Sequence, residues 1–131
     1  MRLTAHTDYS LRVLMYLNKE KRLITLKELS TKLNISRNNL IKVSNQLSKQ
    51  GYIETSQGRG GGLTIKTDAA KTSIKDIICE TEENFHMAEC FSAKACDCTF
   101  IKSCLLKKSL KEALDVFLGS LEKITIDDVT R

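Results

Sequence analysis

Four of the five cysteines, Cys90, Cys96, Cys98 and Cys104, fall within a stretch of fifteen residues. An odd total cannot pair completely within one chain. In a reducing compartment such clustering points to metal or redox chemistry ahead of structural disulfides. Seven residues separate Cys90 from Cys98 and five separate Cys98 from Cys104. These are not the close pairs of a zinc finger, although Cys96 and Cys98 sit near each other. Three thiolates from one flexible loop can wrap a bulky iron–sulfur cluster, because its irons are soft acids that favour thiolate. A fourth ligand then comes from elsewhere in the protein or from Cys96. Two other readings stay open: free or oxidised thiols, and a colourless zinc site built from Cys90, Cys96, Cys98 and Cys104. Cys79, set beside Ile77 and Ile78, reads as a small core residue.

A second group of residues suits nucleic acid. Arg37, Asn38, Asn39, Lys42, Asn45, Gln46 and Lys49 share the polar face of a helix whose other face carries Leu40, Val43 and Leu47. Asn and Gln pair with adenine edges and Arg or Lys with guanine edges in a major groove. Ser36, at the start of that helix, leaves backbone N–H groups free for a phosphate. Further along, Gln57 precedes a glycine-rich tip, Gly58 to Gly62, that contains Arg59. The tip lacks the Lys-Ser/Thr ending of a P-loop and opens no helix, so it is no nucleotide cradle. It reads as a bendable hairpin end that leaves Arg59 free to enter a minor groove. A solvated helix face and a structural turn are the plain alternatives.

Charge follows the same division. Residues 1–65 carry 11 basic and 4 acidic side chains, whereas residues 66–131 carry 10 and 12. A basic front half implies a polyanion-binding module attached to something else. With 131 residues, 41% of them hydrophobic, the chain can bury a core without disulfide staples. His6 and His86 are the only histidines, and no nucleophile–base pair emerges, which argues against an enzyme. The N-terminal stretch has no apolar core of signal-peptide length and nothing approaches a bilayer span, so the expectation is a cytoplasmic protein without membrane contact.

The elements that must position these groups follow from periodicity. A first helix is expected from Thr7 or Asp8, with Leu11, Val13, Leu14 and Leu17 inward. A short second helix begins at Thr25, with Glu28 placed for a capping box, and Ser36 caps the third, which Gly51 ends. Tyr52–Thr55 and Leu63–Ile65 then form a hairpin around the glycines. This is a winged helix-turn-helix over residues 1–66. Residues 67–83 read as one connecting helix and residues 84–104 as the cysteine-rich, cluster-binding loop. Residues 105–131 form a long helix and C-terminal tail, with Leu106, Leu110, Ala113, Leu114, Phe117, Leu118 and Leu121 in an i, i+3, i+4, i+7 series. That stripe is too long for a small winged domain alone and suits packing against its own copy. The fold class is mainly α with a small β wing, a winged helix-turn-helix plus a long C-terminal dimerisation helix.

Several of these stretches carry a resemblance. Ile35-Ser36-Arg37-Asn38-Asn39-Leu40, Asn45-Gln46-Leu47-Ser48, Gly51-Tyr52-Ile53 and Gly58-Arg59-Gly60-Gly61-Gly62 resemble the DNA-binding half of the IscR-like iron–sulfur transcription regulators. Met1 to Thr4, Thr7-Asp8-Tyr9, Leu11 to Leu14, Glu89-Cys90-Phe91, Cys98, Cys104 to Lys107, and Leu121 with Thr125 to Val129 are similar too. Nearly the whole chain is covered. The resemblance implies a homodimeric transcriptional repressor binding double-stranded operator DNA, with one cluster per subunit, 4Fe–4S with 2Fe–2S as the alternative. It implies cluster ligands Cys90, Cys98 and Cys104 with Asp8 of the partner subunit, and Cys96 as the alternative to one of these. Leu105, Leu106, Lys107 and Lys108 follow the third cysteine, where a supply-sensing member carries histidine. The chain therefore looks most like the nitric-oxide-sensing members, which release operator DNA when the cluster is nitrosylated. A sibling regulator that senses iron–sulfur supply or redox state is the alternative, as is a zinc-stabilised DNA-binding protein.

Overall fold

Thr4 starts the first helix, its hydroxyl accepting the Thr7 amide at 3.3 Å, so α1 (Ala5–Glu20) begins two residues before the expected point. The computed structural model describes residues 1–131. The buried face of α1 is partly polar: Thr7, Ser10 and Asn18 are buried with Val13, Leu14 and Leu17, while Leu11 is only half-buried. Thr25 caps α2 (Leu26–Leu33) and Ser36 caps α3 (Arg37–Lys49), each through the amide three residues on. Between them Asn34 takes the left-handed conformation at φ 52°, a turn that asparagine tolerates. The expected capping box at α2 is one-sided. Glu28 instead turns its carboxylate to Arg22 Nη2 at 2.6 Å and to the Tyr16 hydroxyl at 3.0 Å. The bond from Arg22 holds the Glu28 carboxyl below its ordinary range.

The hairpin pairs β1 (Ile53–Ser56) antiparallel with β2 (Gly62–Ile65), Ile53 opposite Ile65. A third piece of extended chain, not anticipated, lies along the open edge of β2. Ile24 bridges Leu63, with amide-to-carbonyl distances of 2.9 and 2.7 Å. Gly62 is required there, because a Cβ would collide with the Ile24 carbonyl. At the tip, Gly60 has φ +70° in a turn closed by Gly61 N donating to Gly58 O at 3.0 Å, which presents Arg59 outward.

The stretch read as a single connecting helix is two elements, a 3₁₀ turn at Thr67–Lys71 and α4 (Ile74–Thr81) capped by Ser73. The correction at Cys79 follows from the helical period. Ile74, Ile77, Ile78 and Thr81 form the buried stripe, and Cys79 is turned off it into solvent. Residues 84–104 form a loop with one short 3₁₀ turn, Glu89–Phe91. The long helix α5 (Leu105–Leu121) follows. The expected tail contains one more helix, α6 (Ile126–Thr130), with a reciprocal Thr125–Asp128 capping box. Ile126 is fully buried in the core, and Asn18 Nδ2 donates to Asp127 Oδ1 and Thr130 Oγ1, both at 2.9 Å. Ile74 N donates to Ile124 O at 2.8 Å, so the excursion through the loop and α5 leaves and rejoins the core beside the start of α4.

One core binds α1, α2, α3, the hairpin, α4 and α6 together. In contrast, α5 has no buried residue. Leu105, Leu106, Val116 and Phe117 are 79%, 66%, 71% and 47% exposed, and only Leu118 and Leu121 reach the core cluster. No helix is long and apolar enough to cross a membrane.

Candidate nucleic-acid interface and cysteine loop

Helix α3 is fastened by Leu40, Val43, Ser44 and Leu47, which leaves Arg37, Asn38 and Lys42 exposed on the opposite side, with Asn39 half-buried. Ser36 spends its side chain as a cap on the Asn39 amide at 3.3 Å. A cleft of about 470 Å³ lies between α3 and the wing. Arg37 and Asn45 line one wall and Gln57 and Gly58 the other, with Thr25 and Lys27 at the rim. Arg37 and Gln57 are thus brought to one groove, whereas Asn38, Lys42 and Arg59 stand outside it on the adjoining exposed surface. Arg37, Lys42 and Arg59 make no ion pair within the chain, so three cations remain available to phosphates.

Gln46 does not join that face. Its side-chain oxygen accepts from His6 Nε2, and its nitrogen donates to the Glu80 carbonyl at 2.9 Å. Gln50 Nε2 donates to the same carbonyl at 3.0 Å. The Tyr52 hydroxyl donates to the Glu80 carboxylate at 2.6 Å, and burial together with that acidic acceptor pushes its phenol well above the usual range. Glu82 accepts from Thr4 N at 2.7 Å. The end of α4, where the cysteine loop begins, is therefore tied by side-chain bonds to α3, to Tyr52 just before β1 and to the start of α1. A helical-wheel reading places Gln46 on the polar face and carries no signal of these long-range partners.

All four loop cysteines are free thiols. Cys90, Cys96 and Cys104 are half-buried and Cys98 is exposed. Partial burial pushes the Cys96 thiol up, and the Glu89 carboxylate and the neighbouring thiols of Cys98 and Cys90 push it further. Three thiols therefore sit in one electrostatic neighbourhood. Cys104 is the N-cap of α5, its sulfur accepting the Lys107 amide at 3.3 Å. No three His, Cys, Asp or Glu side chains are gathered closely enough to hold a metal ion. The donor set fits an iron–sulfur cluster in kind, being free thiols on a surface loop, and a single chain does not complete the ligand geometry. Asp8, the expected oxygen ligand, is exposed on α1 and pairs with Arg12 at 3.2 Å.

A winged helix-turn-helix with an exposed basic recognition helix, a cysteine loop and an uncovered apolar helix defines a transcriptional regulator of helix-turn-helix type. Residues 3–131 match the Rrf2 family, described as iron-dependent transcriptional regulators, and the chain belongs to that family. It is 40% identical over 133 residues to the HTH-type transcriptional regulator NsrR of Bacillus subtilis, covering 100% of this chain and 91% of the relative. Among solved structures it resembles the oxidised form of Staphylococcus aureus CymR, with a TM-score of 0.76, 21% identity and coverage of 100% and 97% of the two chains. It also resembles T. potens IscR, with a TM-score of 0.74, 17% identity and coverage of 98% and 85%. Those two likenesses establish the winged-helix fold.

Proposed function

We propose that the chain is a homodimeric repressor whose hold on operator DNA depends on an iron–sulfur cluster and is relieved by nitric oxide. The full-length similarity to a regulator named NsrR supports this reading, and the Gln46–Glu80 junction gives it a physical route. Cys90, Cys98 and Cys104 supply thiolates, Asp8 of the partner subunit supplies an oxygen, and Cys96 is the substitute ligand. When bound, the cluster, of 4Fe–4S type, supplies iron with high affinity for nitric oxide. Every other part of the response belongs to the chain. Loss of loop ligation loosens residues 83–104, and the root of that loop is Glu80–Glu82. Movement there breaks or re-aims the bonds from Gln46 and Gln50, which rotates or shifts α3 in its groove.

The apolar stripe of α5 packs against a second copy, which sets two α3 helices about one helical turn of DNA apart on a pseudo-palindromic operator. Arg37, Asn38, Asn39 and Gln57 read base edges, Lys42 and the backbone N–H groups at the Ser36 end hold phosphates, and Arg59 enters the minor groove.

The test is operator binding by anaerobically prepared protein, with iron and sulfide determined, before and after nitric oxide. A 5–150-fold loss of affinity, about 1–3 kcal/mol of coupling, is expected. Equal affinity of the cluster-loaded, apo and nitric-oxide-treated forms would overturn the reading. Release on simple cluster loss with no further effect of nitric oxide would transfer the protein to the supply-sensing class.

A further inference from the structure

A cleft of about 330 Å³ lies on the far side of the Ile24–Leu63 bridge, outside the groove between α3 and the wing. Lys21, at the end of α1, Lys66, just past β2, and Lys71, ending the 3₁₀ turn, all line it, so three separate elements deliver the cations. All three are exposed, and none makes an ion pair. Arg22 also lines the cleft but is already neutralised by Glu20 and Glu28 at 3.3 and 2.6 Å. The lone carboxylate, Asp127, accepts from Asn18. Lys21 holds φ 49°, a left-handed position that favours glycine or asparagine, so the site carries a lysine despite the backbone cost.

The Ile24 segment and β2 run side by side through both clefts. Thr25 to Lys27 and Gly61 to Leu63 wall the recognition groove, while Lys21, Arg22 and Thr64 to Lys66 wall this one. Leu63 to Lys66 spans about 10 Å at the rise of a strand, which matches about three base-pair steps along the axis of a duplex. The two clefts therefore border the same pair of extended segments, on either side of the Ile24–Leu63 bridge. Such spacing suits a continuous polyanion better than an isolated small ion.

We propose that the Lys21–Lys66–Lys71 cleft is a second phosphate site, which holds the backbone of duplex DNA beyond the base pairs that α3 and the wing reach. The inference rests on the DNA-binding reading above and adds a contact to it. It does not depend on what the cysteine loop senses.

The experiment uses anaerobically prepared protein, with iron and sulfide determined, and a duplex selected by the cluster-loaded wild type from random sequence. Binding is measured from low to high salt for the wild type and for Lys21→Gln/Lys66→Gln/Lys71→Gln. Each lost phosphate contact lowers the slope of log affinity against log salt by about 0.9. The triple variant is expected to lose about 2 to 3 from that slope and to lose hydroxyl-radical protection at backbone positions flanking the bases read. Unfolding temperatures of the two proteins, compared first, exclude a folding defect. Unchanged slope and footprint, with tight binding by the wild type, would overturn the second site and leave the operator reading intact. Failure of the wild type to select any duplex would overturn both. A third arm adds inorganic phosphate. If millimolar phosphate stabilises the wild type but not the variant while the salt slopes agree, the cleft takes a small anion and the duplex proposal falls.

Discussion

Asp8 and Arg12 lie one turn apart on α1, with Asp8 Oδ2 3.2 Å from Arg12 Nη2. The other guanidinium nitrogen, Nη1, donates to the Leu33 carbonyl at 3.2 Å, at the last residue of α2. One cation thus joins the carboxylate expected to reach a partner's cluster to the turn that launches α3. Taking Asp8 as a ligand removes the ion pair and leaves Arg12 its bond to the Leu33 carbonyl and its place over the Tyr9 ring, 5.2 Å from the centroid. An exposed i,i+4 pair is worth about 0.3–0.5 kcal/mol, so Asp8→Asn should shift Tm by only about 2 °C. Iron retention and the visible spectrum of the same variant should change clearly. A variant with unaltered spectrum and nitric oxide response would reduce Asp8 to a helix ion pair. Arg12→Ala removes both contacts, and about 1 kcal/mol of stability is expected to go with the charged hydrogen bond to Leu33.

Replacing Cys90, Cys98 or Cys104 with Ala should abolish stable cluster binding, whereas Cys96→Ala should retain it. Iron and sulfide content with the visible spectrum checks this. Retention in the Cys98 variant and loss in the Cys96 variant would exchange the two assignments. Cys96 lies two residues before Cys98, so the same loop can offer either sulfur. One zinc with no sulfide in the wild type would overturn the sensing mechanism and leave the winged helix standing.

The Gln46 and Gln50 amides both end on the Glu80 carbonyl, and neither residue belongs to the groove-facing set. Gln46→Ala/Gln50→Ala should therefore bind operator within a few-fold of the wild type while losing the ratio between cluster-loaded and apo affinities. That ratio should fall from the 5–150-fold range toward unity. A variant that keeps the full ratio would place the coupling elsewhere, and one that loses all DNA binding would show that the junction only holds α3 upright.

The recognition helix and wing were legible because their signals are local. Ser36 caps the amide three residues on, Leu40, Val43 and Leu47 repeat at helical spacing, and glycines mark the hairpin tip. What was illegible depends on distant pairing. Ile24 is a single residue bridging a strand nearly forty positions away, too short to show alternation. Helix α6 has five residues and owes its place to Ile126 in the core and to Asn18 reaching it from α1. Cys79 was misread because an apolar neighbourhood in sequence is not a neighbourhood in space on a helix. At the cysteine loop, residue chemistry names the kind of ligand set, and no three donors converge within the chain to show its geometry.

Helix α5 provides the most direct test of the assembly. Leu106 and Phe117 are exposed on a helix whose only core contacts are at Leu118 and Leu121. Leu106→Asp/Phe117→Asp places two charges in the expected dimer seam and nothing in the monomer core. Sedimentation equilibrium should show a dimer for the wild type and a monomer for the variant, with unchanged far-UV circular dichroism. Since each half-site contact is then made alone, operator affinity should fall by at least about 100-fold, the ordinary gain from linking two sites. A variant that remains dimeric would move the interface off this face.

The return of the chain to the core at α6 makes a pH prediction with a definite sign. Thr125 N and Oγ1 donate to Asp128 Oδ2 at 2.9 and 2.7 Å, and the Thr125 hydroxyl accepts the Asp128 amide at 3.2 Å. The backbone bond from Thr125, followed by its side-chain bond, lowers the Asp128 carboxyl from its ordinary 3.8. A carboxylate whose folded value lies below its unfolded one stabilises the fold above the unfolded value. That contribution is lost as pH falls through the lower, folded value. Asp128→Ala should thus melt below the wild type at about pH 7, and the gap should narrow steadily as pH is lowered below the ordinary 3.8. Thr125→Ala, which removes the cap itself, should cost about 1 kcal/mol at neutral pH. Ile126 is wholly buried and cannot stay so if α6 frays, so both losses should appear in the global melting transition. An Asp128 variant whose deficit stays constant as pH is lowered would show that packing, and not the carboxylate's charge, holds the C-terminal return in place.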